Sequence, residues 1–154
     1  MKAGRKILWH LLRDKRGAMM IETAIVAPVL ILMSMGAFQV SQVVARQTEL
    51  QNAAAEASAI ALASPPDTAT KRSVLKNIIV VSTGLAADKV SVSSKFRCGS
   101  ATSYVDSANS CVGTKVSEFV LIQIDDTYTP VWTQWGFSEP LQFNVDRYVM
   151  VNQS

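Results

Sequence analysis

The chain has 154 residues, 49% of them hydrophobic and 18% charged, with 15 basic and 12 acidic side chains. Residues 1–17 hold six of the basic side chains and one acid, which leaves nine basic and eleven acidic side chains for residues 18–154. The positive charge is therefore bunched in a short N-terminal leader and is not spread over a folded surface. This distribution argues against a nucleic-acid partner.

An uncharged apolar stretch, here called the span, follows the leader from Thr23 to Ala45. In a helix its 23 residues rise about 34 Å, which is enough to cross a hydrocarbon core of about 30 Å. Flanking segments rich in Lys and Arg stay in the cytoplasm. The pattern predicts one membrane crossing with a cytoplasmic N-terminus, and it places everything after the span on the other side.

The junction between leader and span reads Lys15-Arg16-Gly17-Ala18, and an acid follows at Glu22. One interpretation is that Glu22 is only an interfacial acid just outside the span. In the other, cleavage after Gly17 creates a cationic amine at Ala18, which helical spacing of four places on the same face as Glu22. Pairing of these charges, within one chain or between neighbours, would offset the cost of a carboxylate at the bilayer.

Residues 16–45 resemble the N-terminal module of TadE-like pseudopilins, minor components of the tight-adherence (Flp-type) pilus system, in which a basic leader ends in Gly and a Glu stands fifth in the mature chain. The resemblance implies that an aspartate-type prepilin peptidase cuts between Gly17 and Ala18, and that Glu22 acts in assembly. Major Flp pilins are much shorter and usually have Tyr where this chain has Thr23. The resemblance therefore favours a minor pseudopilin.

The partners that the resemblance implies are the prepilin peptidase, other pilins or pseudopilins, pilus-assembly platform proteins and membrane lipid. The implied location is a bacterial inner membrane, with the C-terminal domain in the periplasm and possible incorporation in a pilus that supports adhesion. The family commonly has a Pro in the apolar helix after a Glu-x-Ala step, which Pro28 matches. Pro28 can introduce a kink that the protein uses. Alternatively, its missing backbone N–H can be a defect without a role, of a kind that membrane helices tolerate.

Two helices are predicted before any strand. Residues 46–63 contain no Pro or Gly and repeat small or apolar residues on one helical face, so one helix should continue to Ala63 and end at Ser64-Pro65-Pro66. A second helix should begin near Asp67 or Thr68 and end at Gly84, although residues 78–81 are also strand-like. Its core-facing residues are predicted to be Val74, Leu75, Ile78 and Ile79.

After Gly84, apolar residues recur at every second position, which is the pattern of a half-buried strand. Three such stretches predict three strands. They lie around Val90–Phe96, Val116–Ile124 and Leu141–Val151. The expected fold is α+β and pilin-like: a long N-terminal helix, half transmembrane and half exposed, a short second helix and a small antiparallel sheet. The predicted organisation is a leader at 1–17, an assembly helix at 18–63 and an exported domain at 64–154.

Cys98 and Cys111 are predicted to form a disulfide in the exported domain. They are a poor metal site, because the sole histidine of the chain is His10 in the leader, and their spacing is not that of a redox Cys-x-x-Cys motif. No metal or cofactor is expected. Asp125 and Asp126 are adjacent, so strand alternation sends them to opposite faces and no catalytic group is evident.

An aromatic segment, residues 127–137, separates the last two strands and includes Tyr128, Trp132 and Trp135. It can close one end of a small core, or it can form a contact surface for a partner. Two classes of function remain open besides enzyme, which is the least favoured. One is a cleaved pseudopilin, with a type II secretion pseudopilin as a variant, and the other is a membrane-anchored periplasmic binding module that keeps its leader.

Overall fold

The computed structural model describes residues 15–136 and 139–153, apart from the side chains of residues 15–18 and Trp135. The helices are α1 (Lys15–Ala63) and α2 (Ala69–Thr83), and the strands are β1 (Val90–Cys98), β2 (Val116–Tyr128) and β3 (Leu141–Gln153). Short 3-10 turns lie at Ala87–Lys89, Ala108–Ser110 and Val131–Trp135. This confirms the predicted α+β fold. His10 lies outside the described residues.

The chain divides into two compact units, Met1–Gln42 and Val43–Ser154. The first unit, as far as it is described, is the N-terminal part of α1. The second, here called the C-terminal unit, contains the rest of α1 together with α2 and the sheet. The part of α1 after Val43 thus folds with the residues that follow it.

Capping residues set both ends of α2. The Thr68 hydroxyl accepts a hydrogen bond from the backbone N–H of Lys71 at 3.3 Å, and Gly84 adopts a left-handed conformation (φ +67°) with its N–H donated to the carbonyl of Val80 at 3.0 Å. Both are common ways to end a helix. The predicted helix boundaries are confirmed, and the strand-like alternative for residues 78–81 is wrong.

The core-facing side of α2 was predicted only in part. Leu75 and Ile79 are buried, but Val74 is 54% exposed and Ile78 is 39% exposed. Leu75 and Ile79, four residues apart, lie on the side of α2 that packs against the core, and Val74 and Ile78 each lie about 100° around the helix from them. The expectation that Val74 and Ile78 enter the core is therefore wrong.

The sheet is an antiparallel meander in the order β1-β2-β3. Val120, Ile122 and Ile124 of β2 are at most 1% exposed, and they pack in one cluster with small residues of α1 and with α2. Most of the buried residues of α1 are alanines, which confirms the predicted face of small or apolar residues after the span. The buried residues that α1 contributes are Leu50, Ala53, Ala54, Ala57 and Ala61.

The opposite face of the sheet is covered in part by the segment between β1 and β2. The Tyr104 ring lies edge-on to Phe119, with 5.1 Å between centroids, and stacks on Tyr148 at 4.3 Å. The Arg97 guanidinium lies 5.1 Å from the centre of the Phe119 ring, within the range of a cation–π contact. A segment that reads as a polar loop therefore supplies a second, aromatic cluster.

Cys98 and Cys111 form the predicted disulfide, with their Cα atoms 5.1 Å apart. The bond joins the end of β1 to the segment that carries Tyr104. It therefore holds the loop from which the second aromatic cluster is built.

Replacing both cysteines with serine is expected to lower the free energy of unfolding by about 3 kcal/mol, the chain-entropy value for a loop of roughly this length. Urea unfolding of the full chain in detergent, followed by tryptophan fluorescence, measures the change. Dithiothreitol should destabilise the wild type by a similar amount and leave the double variant unchanged. A wild type insensitive to the reductant would contradict the prediction.

Candidate functional site

The N-terminal part of α1 is an apolar helix that carries one carboxylate. Glu22 is exposed between the exposed side chains of Ile21 (65%) and Ile25 (64%). Among the described residues Glu22 has no ion pair, and the Thr23 hydroxyl bonds to the carbonyl of Met19 at 2.9 Å. The carboxylate therefore lies on an apolar surface, where a partner charge would be favourable.

The peptide bond between Gly17 and Ala18 lies in the first turns of α1, which begins at Lys15. The surroundings of these two residues lie outside what the structure describes, so their predicted role in cleavage stays a prediction. Glycine costs about 1 kcal/mol relative to alanine inside a helix. A glycine at this bond therefore lowers the cost of unwinding the turn for an enzyme that must reach the backbone.

In the described part of the chain, one helix is long and apolar enough to cross a membrane, and its apolar window is not buried by the rest of the protein. Pro28 lies inside this helix, which continues to Ala63; a kink at Pro28 stays a prediction. No three His, Cys, Asp or Glu side chains among the described residues are grouped so that they could hold a metal ion.

Arg46, the first charged residue after the span, joins three elements of the C-terminal unit. Its Nε donates to Asp126 Oδ2 on β2 at 2.6 Å, and its Nη1 donates to Glu49 Oε2 on α1 at 2.8 Å. The same Nη1 donates to the carbonyl of Thr83, the last residue of α2, at 3.3 Å. One guanidinium thus ties the C-terminal unit together at one end.

The Arg46 side chain is 24% exposed and that of Asp126 is 17% exposed. Burial opposes the charge of Arg46, but the hydrogen bonds to Asp126 and then Glu49 outweigh it, and the pKa of Arg46 is raised. Asp125, on the other face of β2, accepts from the Asn144 side chain at 2.5 Å. The two adjacent aspartates therefore do point to opposite sides, as strand alternation predicted.

The aromatic segment contains both buried and partly exposed residues. Pro130 is fully buried, and the following 3-10 turn is held by the Thr133 hydroxyl, which donates to the Pro130 carbonyl at 2.7 Å. Tyr128 and Trp132 are half-buried, and the side chain of Trp135 lies outside the described residues. Pro130 anchors the segment by its burial, whereas closure of the core and a role as a contact surface both stay predictions.

The contacts that Arg46, Asp126 and Tyr104 make in the fold were not predicted from the sequence. Arg46 and Asp126 are 80 positions apart. Helix and strand periodicity relates only residues that are close in the sequence, so it could not indicate this contact. The available signal was the position of Arg46 as the first charge after the span. For Tyr104, the signal was a lone aromatic residue within a polar loop closed by two cysteines.

Removing the Arg46–Asp126 pair is expected to destabilise the C-terminal unit. A double-mutant cycle with Arg46→Ala and Asp126→Ala should give a coupling free energy of about 1–3 kcal/mol, because the pair is largely shielded and charge-assisted. Urea unfolding of the four full-length proteins measures the coupling.

The matched control is the Asp67–Lys71 pair, joined at 2.9 Å with side chains 60% and 53% exposed. The hydrogen bond from Lys71 lowers the pKa of Asp67, but the pair is open to solvent. Exposed pairs contribute little, so the same cycle at these residues should give a much smaller coupling. Equal couplings in the two cycles would show that shielding of Arg46 is unimportant.

A family model described as "TadE-like protein" matches residues 17–59. The match begins at the glycine of the predicted cleavage site, includes Glu22 and the whole span, and ends within the part of α1 that belongs to the C-terminal unit. No curated protein and no solved structure matches the chain.

Proposed function

We propose that this TadE-like protein is a minor pseudopilin, a structural component of the Tad (Flp) pilus assembly and secretion machinery that supports adhesion. The family itself points to a component associated with the Tad pilus. The observation that carries the finer proposal is the extent of the match: residues 17–59 run from Gly17 through Glu22 and the span, all within α1.

The proposal has three steps, each assigned to a different part of α1. The leader charge and the apolar span insert the chain with its N-terminus in the cytoplasm. A prepilin peptidase then cuts between Gly17 and Ala18 and releases the leader. The new amine of Ala18 pairs with Glu22 of the same or a neighbouring subunit, and this pairing brings the helix together with other pilins or pseudopilins.

The location of the chain follows from the same steps. The single span anchors it in the inner membrane, and the C-terminal unit lies in the periplasm. The disulfide between Cys98 and Cys111 supports this topology, because disulfides persist in an oxidising compartment and are rare in the cytosol.

The test is the mature N-terminus of the membrane-expressed protein, determined by intact mass in cells with and without the cognate prepilin peptidase. The proposal expects residues 18–154 with the peptidase and residues 1–154 without it. A chain that keeps residues 1–17 in both strains would favour a membrane-anchored binding module and would contradict the pseudopilin proposal. Cleavage after a residue other than Gly17 would contradict the site assignment.

A further inference from the structure

Arg46 lies at one end of the C-terminal unit, shortly after the unit begins at Val43. In the sequence Arg46 directly follows the uncharged span that ends at Ala45, so it belongs at the boundary between lipid and water. Its guanidinium bonds to Asp126 on β2 and to the carbonyl of Thr83 on α2. The ends of β2 and α2 that carry these groups therefore lie beside Arg46.

The strand directions identify what else lies at this end. β2 runs towards Asp126 and ends at Tyr128, where the aromatic segment begins, and β3 starts at Leu141. The disulfide between Cys98 and Cys111 and the loop residue Val112 lie towards the opposite end of β2, which begins at Val116. Because β2 has 13 residues at about 3.3 Å each, the two ends of the sheet are roughly 40 Å apart.

Apolar and aromatic side chains are exposed at the Arg46 end. Val81, in the last turn of α2, is 83% exposed, and Leu141, the first residue of β3, is 37% exposed. Tyr128 and Trp132 are half-buried, so each keeps part of its surface accessible. Tyr and Trp, which combine an apolar body with a polar edge, are enriched at membrane–water interfaces.

We propose that this end of the C-terminal unit, with Val81, Tyr128, Trp132 and Leu141, docks onto the lipid surface from which the span emerges. The inference rests on the proposed function, because it takes the span as embedded in a bilayer. Lipid is favoured as the occupant because Arg46, the residue that directly follows the span, is hydrogen-bonded to groups at this end. Docking would fix the orientation of the C-terminal unit on the membrane before assembly.

The chemistry of the surface predicts which lipids suffice. The four residues are apolar or aromatic, and Arg46, one of the cations at this end, is already bonded to two carboxylates. Docking should therefore occur on zwitterionic phosphatidylcholine and should not be released by high salt, which screens charge pairing but not apolar burial.

The test uses the full chain in phosphatidylcholine vesicles with and without brominated acyl chains, which quench nearby tryptophans. In the first reporter Trp9 and Trp135 are replaced by Phe, so that Trp132 alone emits. Two further reporters replace all three natural tryptophans with Phe and add Leu32→Trp in the span or Val112→Trp at the far end, where Val112 is 87% exposed. Circular dichroism and an intact disulfide identify reporters that are folded.

We expect brominated lipid to remove a large fraction of the emission of Trp132 and of the tryptophan at position 32, and to leave that at position 112 unchanged. If the tryptophan at position 32 is quenched and Trp132 is not, lipid docking is wrong and the segment is left to a protein partner, while the pseudopilin proposal stands. If the tryptophan at position 32 is not quenched, the membrane anchor fails and the docking inference fails with it.

A pair of surface substitutions tests whether Val81 contributes to docking. Val81→Asp in the Trp132 reporter should reduce the quenching of Trp132, because a carboxylate is unfavourable in the interface. Val112→Asp, at a site of similar exposure at the other end of the sheet, should leave the quenching unchanged. Equal quenching in both variants would overturn the role of Val81 in docking.

Discussion

Replacing Gly17 with alanine or a bulkier residue is expected to leave the leader attached in cells that contain the prepilin peptidase. The peptidase must reach the backbone of the Gly17–Ala18 bond at the membrane face, and a Cβ at position 17 would crowd the scissile carbonyl. Alanine also stabilises a helical turn by about 1 kcal/mol relative to glycine. Intact mass should show residues 1–154 in place of 18–154.

Gly36→Ala is the matched control, because Gly36 lies in the same helix and a Cβ there meets no atom within 4 Å. This variant should mature like the wild type. A mass of residues 18–154 for the Gly17 variant would show that the cleavage assignment is wrong, and failure of both variants would point to a general defect of insertion.

Glu22→Ala is expected to insert and to be cleaved, yet to fail in assembly. Insertion depends on the leader charge and the span, neither of which the substitution changes. In the assembled state the amine of Ala18 would lose its carboxylate, and an unpaired charge in a shielded site costs about 3–5 kcal/mol. Mature protein should accumulate in the membrane fraction without co-purifying with the other pilus components.

Two variants separate the charge of Glu22 from other effects. Glu22→Gln keeps the shape and removes the charge, so it should assemble as poorly as Glu22→Ala. Glu56→Ala removes another exposed carboxylate of α1 outside the span and should assemble normally. Wild-type yields of co-purified components with Glu22→Ala would show that Glu22 is only an interfacial acid.

Local patterns in the sequence were enough to predict the elements of this fold. Thr68 and Gly84 fixed the ends of α2 because capping is a property of a few adjacent residues. Apolar alternation located the three strands, and the two cysteines correctly predicted the disulfide. In the candidate site, Gly17 and Glu22 were found through a resemblance concentrated in one short segment, which the family match includes.

The features that could not be predicted depend on which helices, strands and loops contact one another in the folded protein. Val74 and Ile78 have the same character as their buried neighbours, and only the packing direction of α2 decides that they are exposed. Tyr104 covers the second face of the sheet because the loop folds back, which no period in the sequence indicates. The Arg46–Asp126 bond likewise requires the completed fold.

The buried stripe of α1 has a mechanical consequence. Leu50, Ala54, Ala57 and Ala61 are at most 1% exposed and extend over about 16 Å of the helix axis. A force that pulls along α1 loads these contacts in shear, so they must yield together, whereas a hairpin pulled apart from one end yields one pair at a time. The bond from Arg46 to Asp126 strengthens the end that is loaded first. Tension applied through α1 would therefore act on this whole set of buried contacts at once.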